Sequence, residues 1–125
     1  MKIPLELGYS ADHEWARIEG DTAVVGITDF AQSQLGEIVY VDVPTVGQTV
    51  AQGEVFGSIE AVKTVSDAIL PVSGQVIELN AEIDAHPELV NQDPYGRGWI
   101  VKVRMSDPAQ AEGLLKAEDY QKIIG

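Results

Sequence analysis

Two extended runs that meet at a single lysine constrain this chain more than any other stretch. In the first, Val55, Gly57, Ile59 and Ala61 share one face, and Phe56, Ser58, Glu60 and Val62 the other. The pattern restarts from Val65 to Leu70. Alternation rich in β-branched residues on both sides of a short break reads as a hairpin. Lys63 falls at or beside its tip. Pro71, Ser73 and Gly74 close the return run with a second turn that holds the hairpin in place. A lysine at a hairpin tip ordinarily only solubilises the surface. Lys63 stands apart because it is the only Lys or Arg between Arg17 and Arg97, and Glu60 and Asp67 are close by. A rigid base and an unobstructed amine are what a modifying enzyme requires.

The rest of the chain is a series of short strands punctuated by glycine and proline. Ala16 to Ile18 and Thr22 to Ile27 form a hairpin around Glu19-Gly20-Asp21. Thr28-Asp29 is a helix N-cap in which Asp29 accepts from the first-turn amides and Gln32 reaches back. The helix Phe30 to Leu35 then stops at Gly36. Glu37 to Val43 is a strand ended by Pro44, and Val46 to Glu54 carries paired glycines around a shorter one. Gln75 to Leu79 is a strand. Asn80 to Gly98 is loop-rich, with one helical turn near Pro87 to Val90. Trp99 to Met105 alternates, with Trp99, Val101, Val103 and Met105 inward. Asp107 caps a helix with Pro108 at its first position. Helices Pro108 to Glu112 and Ala117 to Ile124 cover a sheet edge through Leu114, Leu115, Tyr120 and Ile123. The expected fold is mainly β, a flattened barrel-like sandwich with short peripheral helices.

Composition excludes several functions. The 125 residues suit one domain, and 45% apolar content suffices for its core. There is no cysteine, so sulfur redox chemistry has to arrive on a cofactor. A net charge of −12, from 20 acidic against 8 basic residues, leaves no basic face for nucleic acid and disfavours anionic membranes. Partners with basic docking sites are favoured instead. Met1 to Gly8 reads as neither a signal nor a transit peptide, and no segment is long enough to span a bilayer. The expected setting is the cytoplasm and the expected state a monomer. His13-Glu14-Trp15 is not a zinc motif, because the position four after His13 is Arg17. Trp15 is expected to pack and His13 to hydrogen-bond. No nucleophile elbow, phosphate loop or multi-histidine site is present, so no catalytic residue and no metal ligand is assigned.

Glu60-Ala61-Val62-Lys63-Thr64-Val65-Ser66-Asp67, followed by Pro71-Val72-Ser73-Gly74-Gln75-Val76, resembles the lipoyl-lysine segment of the glycine cleavage system H-protein family. His13-Glu14-Trp15, Gly26 to Gln32, Leu35 to Val39, Asn91 to Tyr95 and Gly98-Trp99 fit the same family in order and spacing. The resemblance implies a barrel-sandwich hybrid, with residues 1–125 as one lipoyl-carrier domain. The N-terminal hairpin and C-terminal helices would pack on a central hybrid whose halves are Val46 to Ile59 and Val72 to Ile83. It implies lipoic acid attached to Lys63 by a lipoate- or octanoate-transfer enzyme. The arm would take an aminomethyl group from a pyridoxal-phosphate glycine decarboxylase (P protein). A tetrahydrofolate-dependent aminomethyltransferase (T protein) would unload it, and dihydrolipoamide dehydrogenase (L protein) would reoxidise it. Glu14 and Asp67 match family positions that would hold the cationic amine, and Glu60 lies near the attachment hairpin. Asp12 departs from the uncharged small residue frequent there. Two alternatives stay open: a biotin carrier, which typically has Met on both sides of its lysine where Val62 and Thr64 stand here, and an unmodified β-rich binding module.

Overall fold

The computed structural model describes every residue, Met1–Gly125. The chain runs β1 (Gly8–Tyr9), β2 (Glu14–Glu19), β3 (Thr22–Ile27), α1 (Asp29–Leu35), β4 (Ile38–Asp42), β5 (Thr49–Val50), β6 (Val55–Ala61), β7 (Val65–Ile69) and β8 (Gly74–Leu79). It continues through α2 (Ala81–Ala85), α3 (Leu89–Gln92), β9 (Val101–Met105), α4 (Ala109–Glu112) and α5 (Ala117–Ile124). The strands form a six-stranded sheet, β1-β2-β3-β9-β8-β5, and a three-stranded sheet, β4-β6-β7. Every pairing is antiparallel. The sheets pack as an open sandwich and do not close into a barrel.

The larger core lies between the sheets. Ile38, Val41, Phe56, Ile59 and Ala68 come from the small sheet, and Ala23, Val25, Val76, Val101 and Val103 from the large one. A second cluster covers the far side of the large sheet, where Tyr9, Trp15, Val24, Tyr95 and Tyr120 meet. The central strand β3 therefore buries both its faces, which is why Thr22–Ile27 reads as an almost continuous apolar run. Trp15 is paired in register with Gly26, and its indole N–H donates to the Pro94 carbonyl at 3.0 Å. A Cβ on Gly26 would sit 2.7 Å from the indole ring. Gly26→Ala is expected to destabilise by about 1–3 kcal/mol, lowering Tm by about 4–12 °C. An unchanged melting curve would show that the Trp15 ring can move aside freely.

Several local expectations change. Alternation puts Phe56 on one face with Glu60 and Val55 on the other with Ile59, yet Phe56 is fully buried with Ile59 while Val55 and Glu60 are exposed. A bulge between Val55 and Gly57 inserts one residue against β7 and turns Phe56 inward. The helix cap is Thr28 itself, whose hydroxyl accepts from Ala31 N at 3.2 Å. Asp29 lies inside the first turn and accepts from the Gln32 side chain at 2.7 Å. Asn80 caps a helix, α2, inside the segment expected to be loop-rich. The last strand starts at Val101, so Ile100 is buried while Trp99 is only partly covered. Asp107 makes no side-chain cap for α4. Ile123 is exposed, and Ile124 packs in its place.

Candidate functional site

Lys63 sits in the three-residue break between β6 and β7. The tip is tied at both ends: Ala61 N donates to Thr64 O at 2.8 Å, and Val62 N donates to Glu37 O at 2.9 Å. The residue just before neighbouring β4 thus braces the turn. Lys63 is exposed and makes no ion pair. Its amine stands free on a fixed base. Glu60 pairs with Tyr40 on one side and Val65 on the other. All three are exposed, while Ile59 and Ala61 point into the protein. Glu60 thus faces the outside of the small sheet.

A cleft of about 210 Å³ opens on the other side of the hairpin. One wall is the corner before β2, with Asp12, His13 and Glu14; another is α1, with Phe30 and Gln34. Ser66 and Asp67 supply the hairpin wall, and Ile27, Leu35 and Ile59 add apolar lining. Residues of both faces of β7 reach the cleft because β7 is the edge of its sheet. The structure therefore unites Glu14 and Asp67, places Asp12 beside them, and leaves Glu60 outside. Asp67 is four positions beyond Lys63, about 13 Å along an extended strand. A group held at the tip reaches the cleft only on a long stem.

Glu14 is the one buried carboxylate, 3% exposed. The Ser10 hydroxyl donates to its Oε1 at 3.0 Å, and the amide of Ile69 to its Oε2 at 3.3 Å. Glu14 thereby satisfies an amide of edge strand β7 from the opposite sheet. Burial raises its pKa from an ordinary 4.5 to about 8, and the charge of Asp12 adds to the rise; the two hydrogen bonds act against it. Asp67 is exposed and its carboxylate accepts no hydrogen bond from the protein. A partly apolar cleft with one buried acid and one solvated carboxylate suits a small cation on an apolar stem.

A larger cavity of about 500 Å³ lies between β4 and α3, lined by Glu37, Val39, Glu88 and Asn91 among others. It holds no buried acid or base, so the chemistry concentrates in the smaller cleft. No three His, Asp or Glu side chains gather to hold a metal ion. No helix is long and apolar enough to cross a membrane. Sequence reasoning did not single out Ser10, Phe30 or Gln34 as parts of a site. These ordinary residue types became neighbours of Glu14 only through the meeting of α1 with the hairpin.

The model of the glycine cleavage H-protein family matches residues 7–125. A glycine cleavage system H protein of Bacteroides thetaiotaomicron is 54% identical over 124 residues, covering 99% of this chain and 98% of that one. That of Bacteroides fragilis is 53% identical over the same span. The crystal structure of a glycine cleavage system H protein from Mycobacterium marinum superposes with a TM-score of 0.87 at 42% identity, covering 96% of this chain and 97% of that one.

Proposed function

This chain belongs to the glycine cleavage H-protein family, and on that premise we propose that Lys63 is the residue that bears its lipoyl group. A member of this family is a lipoyl carrier of the glycine cleavage system, a carrier subunit and not a catalyst. The observation that carries the assignment is the single free amine at a braced hairpin tip. Lys63 Nζ attacks the activated acyl carbonyl presented by a lipoate- or octanoate-transfer enzyme. An amide forms, and the activating group and a proton leave. When bound, the lipoyl group supplies a dithiolane that can exchange between disulfide and dithiol and carry a one-carbon amine.

The chain's own residues then have distinct tasks. The tip holds the arm away from the body, so that glycine decarboxylase, aminomethyltransferase and dihydrolipoamide dehydrogenase reach it in turn. The proposed working unit is the whole chain, 1–125, as one monomeric carrier domain in the cytoplasm. The cleft shelters the cargo. Glu14 accepts from a cationic amine, most strongly once it is ionised, while Asp67 adds a solvated charge at the mouth. Phe30, Leu35 and Ile59 exclude water around the stem. Glu60, facing outward beside the tip, is available to the enzymes and not to the cargo.

Intact mass measurement with the site mapped by peptide fragmentation tests the assignment. The expected result is one lipoyl adduct, on Lys63, after incubation with a lipoate-attaching enzyme. A biotin adduct, an adduct on another lysine, or an unmodified chain would overturn it.

A further inference from the structure

His13 is the only non-glycine residue with a positive φ, 71°. That conformation costs energy unless the surroundings hold it, and it gathers at functional sites. Here the backbone is held on both sides. His13 N donates to Ser10 O at 3.1 Å, and Thr28 N donates to His13 O at 3.0 Å. The imidazole lies 5.0 Å from the Phe30 ring, and its Nδ1 lies 2.8 Å from the Tyr120 hydroxyl. Tyr120 is fully buried and stacked on Tyr9 at 4.8 Å. Its hydroxyl also lies 2.7 Å from Thr28 Oγ1, the cap of α1. The C-terminal helix α5 thus reaches under the cleft and grips the histidine of its wall.

The two hydroxyls form a chain that can run in either sense. In one sense Thr28 donates to Tyr120 and Tyr120 donates to Nδ1, which leaves a proton on Nε2. In the other, Nδ1–H donates to Tyr120 and Tyr120 donates to Thr28, which leaves Nε2 bare. The Thr28 oxygen accepts from Ala31 N in both. Reversal keeps the number of hydrogen bonds and converts Nε2 from donor to acceptor, but it leaves the buried Thr28 O–H without an acceptor, so the first sense is the resting one and a group that donates to Nε2 draws the chain into the second. With Nδ1 turned toward the buried Tyr120, Nε2 is the ring nitrogen left for the cleft.

We propose that His13 is a positioning residue for the end of the arm in this cleft, accepting at Nε2 from a cationic amine or a thiol and donating to a group that offers only lone pairs. This rests on the carrier reading of Lys63 and its cleft. A lipoyl arm changes its terminal hydrogen-bonding character at each stage of its cycle, and a fixed donor or acceptor would match only some of the stages. The reversible hydroxyl chain lets one residue serve them all. Glu14 and Asp67 supply charge, and His13 supplies adaptability.

Nitrogen-15 NMR of the lipoylated protein, with the arm as disulfide, dithiol and amine-loaded, tests this directly. The His13 Nδ1 and Nε2 resonances are expected to exchange character between states, while those of His86, exposed at the end of α2, stay fixed. His13→Asn tolerates the positive φ and leaves a polar atom near the Nδ1 position, but does not reach into the cleft as Nε2 does. It is expected to lose the one-carbon unit about two- to tenfold faster than wild type, the effect of one hydrogen bond. His13→Gln, which reaches the Nε2 position, is expected to restore part of the protection. Tyr120→Phe keeps the stack on Tyr9 and should suppress the exchange of tautomers. Identical His13 resonances in all three arm states, or wild-type release from His13→Asn, would overturn the inference. If Glu14→Gln still accelerates release in that case, the cleft keeps its proposed role and only that of His13 falls. If Lys63 takes no lipoyl group, both fall together.

Discussion

Lys63→Arg is expected to fold as the parent does, accept no lipoyl group and abolish turnover of the reconstituted glycine cleavage system. The fold should survive because the Lys63 side chain is exposed and forms no ion pair, and substitutions at such positions usually change stability by no more than about 0.5 kcal/mol. The tip is fixed by main-chain bonds at Ala61 and Val62, which the substitution leaves in place. Arginine keeps the positive charge, but its delocalised guanidinium stays protonated and lacks the free amine that forms the amide. Charge at the tip is thereby separated from nucleophilicity. Thermal melting, a lipoylation assay and the rate of glycine-dependent one-carbon transfer check the three parts. Residual lipoylation on Lys2, Lys102, Lys116 or Lys122 would refute the assignment. So would turnover above that of the unlipoylated parent.

Glu14→Gln is expected to release its cargo faster, in a manner that depends on pH. With the Glu14 pKa raised to about 8, the empty cleft holds a protonated carboxyl at pH 6. In that form Glu14 resembles Gln, a neutral acceptor, and the two proteins should release the one-carbon unit at similar rates. As pH rises toward and past 8, Glu14 ionises, and a charged hydrogen bond replaces a neutral one. The difference is about 1–1.5 kcal/mol, so the variant should release about tenfold faster than wild type there. Asp67→Asn removes a solvated charge and should accelerate release by at most about fivefold. Loading the protein, removing the decarboxylase and following ammonia or formaldehyde from pH 6 to 9 distinguishes these cases. Equal, parallel profiles for both variants and wild type would mean that neither carboxylate guards the arm.

The same buried acid affects folding. Between an ordinary carboxyl pKa of 4.5 and about 8, the folded chain retains a proton that the unfolded chain releases. The stability that Glu14 contributes is therefore fully present below pH 4.5 and is lost as pH rises toward 8. Its limiting slope is about 1.4 kcal/mol per pH unit. Glu14→Gln mimics the protonated form and should lack that slope. Its Tm should match wild type near pH 5 and exceed it near pH 8. Coincident Tm profiles from pH 5 to 8 would show that Glu14 is not held protonated by burial.

The lysine hairpin was legible because its information is local. Alternation before and after a short break specifies two paired strands, and the pairing by itself puts Lys63 at the tip. The turn at Gly20, the glycine stop of α1 and the inward residues of β9 were readable for the same reason. Each depends on residues within a few positions of one another. Phe56 was not readable, because a bulge is decided by how two strands meet and shifts faces without changing composition. The helix α2 was hidden in a segment rich in turn formers, where five residues give too short a period to detect.

The cleft divides the same way. Glu14 and Asp67 were singled out by resemblance, and the acidic setting of Lys63 was plain in the chain. The difference between the two acids was not. Fifty-three positions apart in sequence, they became neighbours only when edge strand β7 met the corner before β2, and Ile69 N found its acceptor in Glu14. Burial by that packing raises one carboxyl to about 8, while the other stays in solvent. Nor did sequence join His13 to Tyr120, 107 residues away. Sequence alone determined the mainly β class, the hairpin and the lysine at its tip, because hydrophobic periodicity and turn chemistry act over a few residues. Tertiary structure alone decided which acid is buried, which faces the outside of the small sheet and which helix holds the histidine, because desolvation and hydrogen-bond partnership arise only when distant segments exclude water between them.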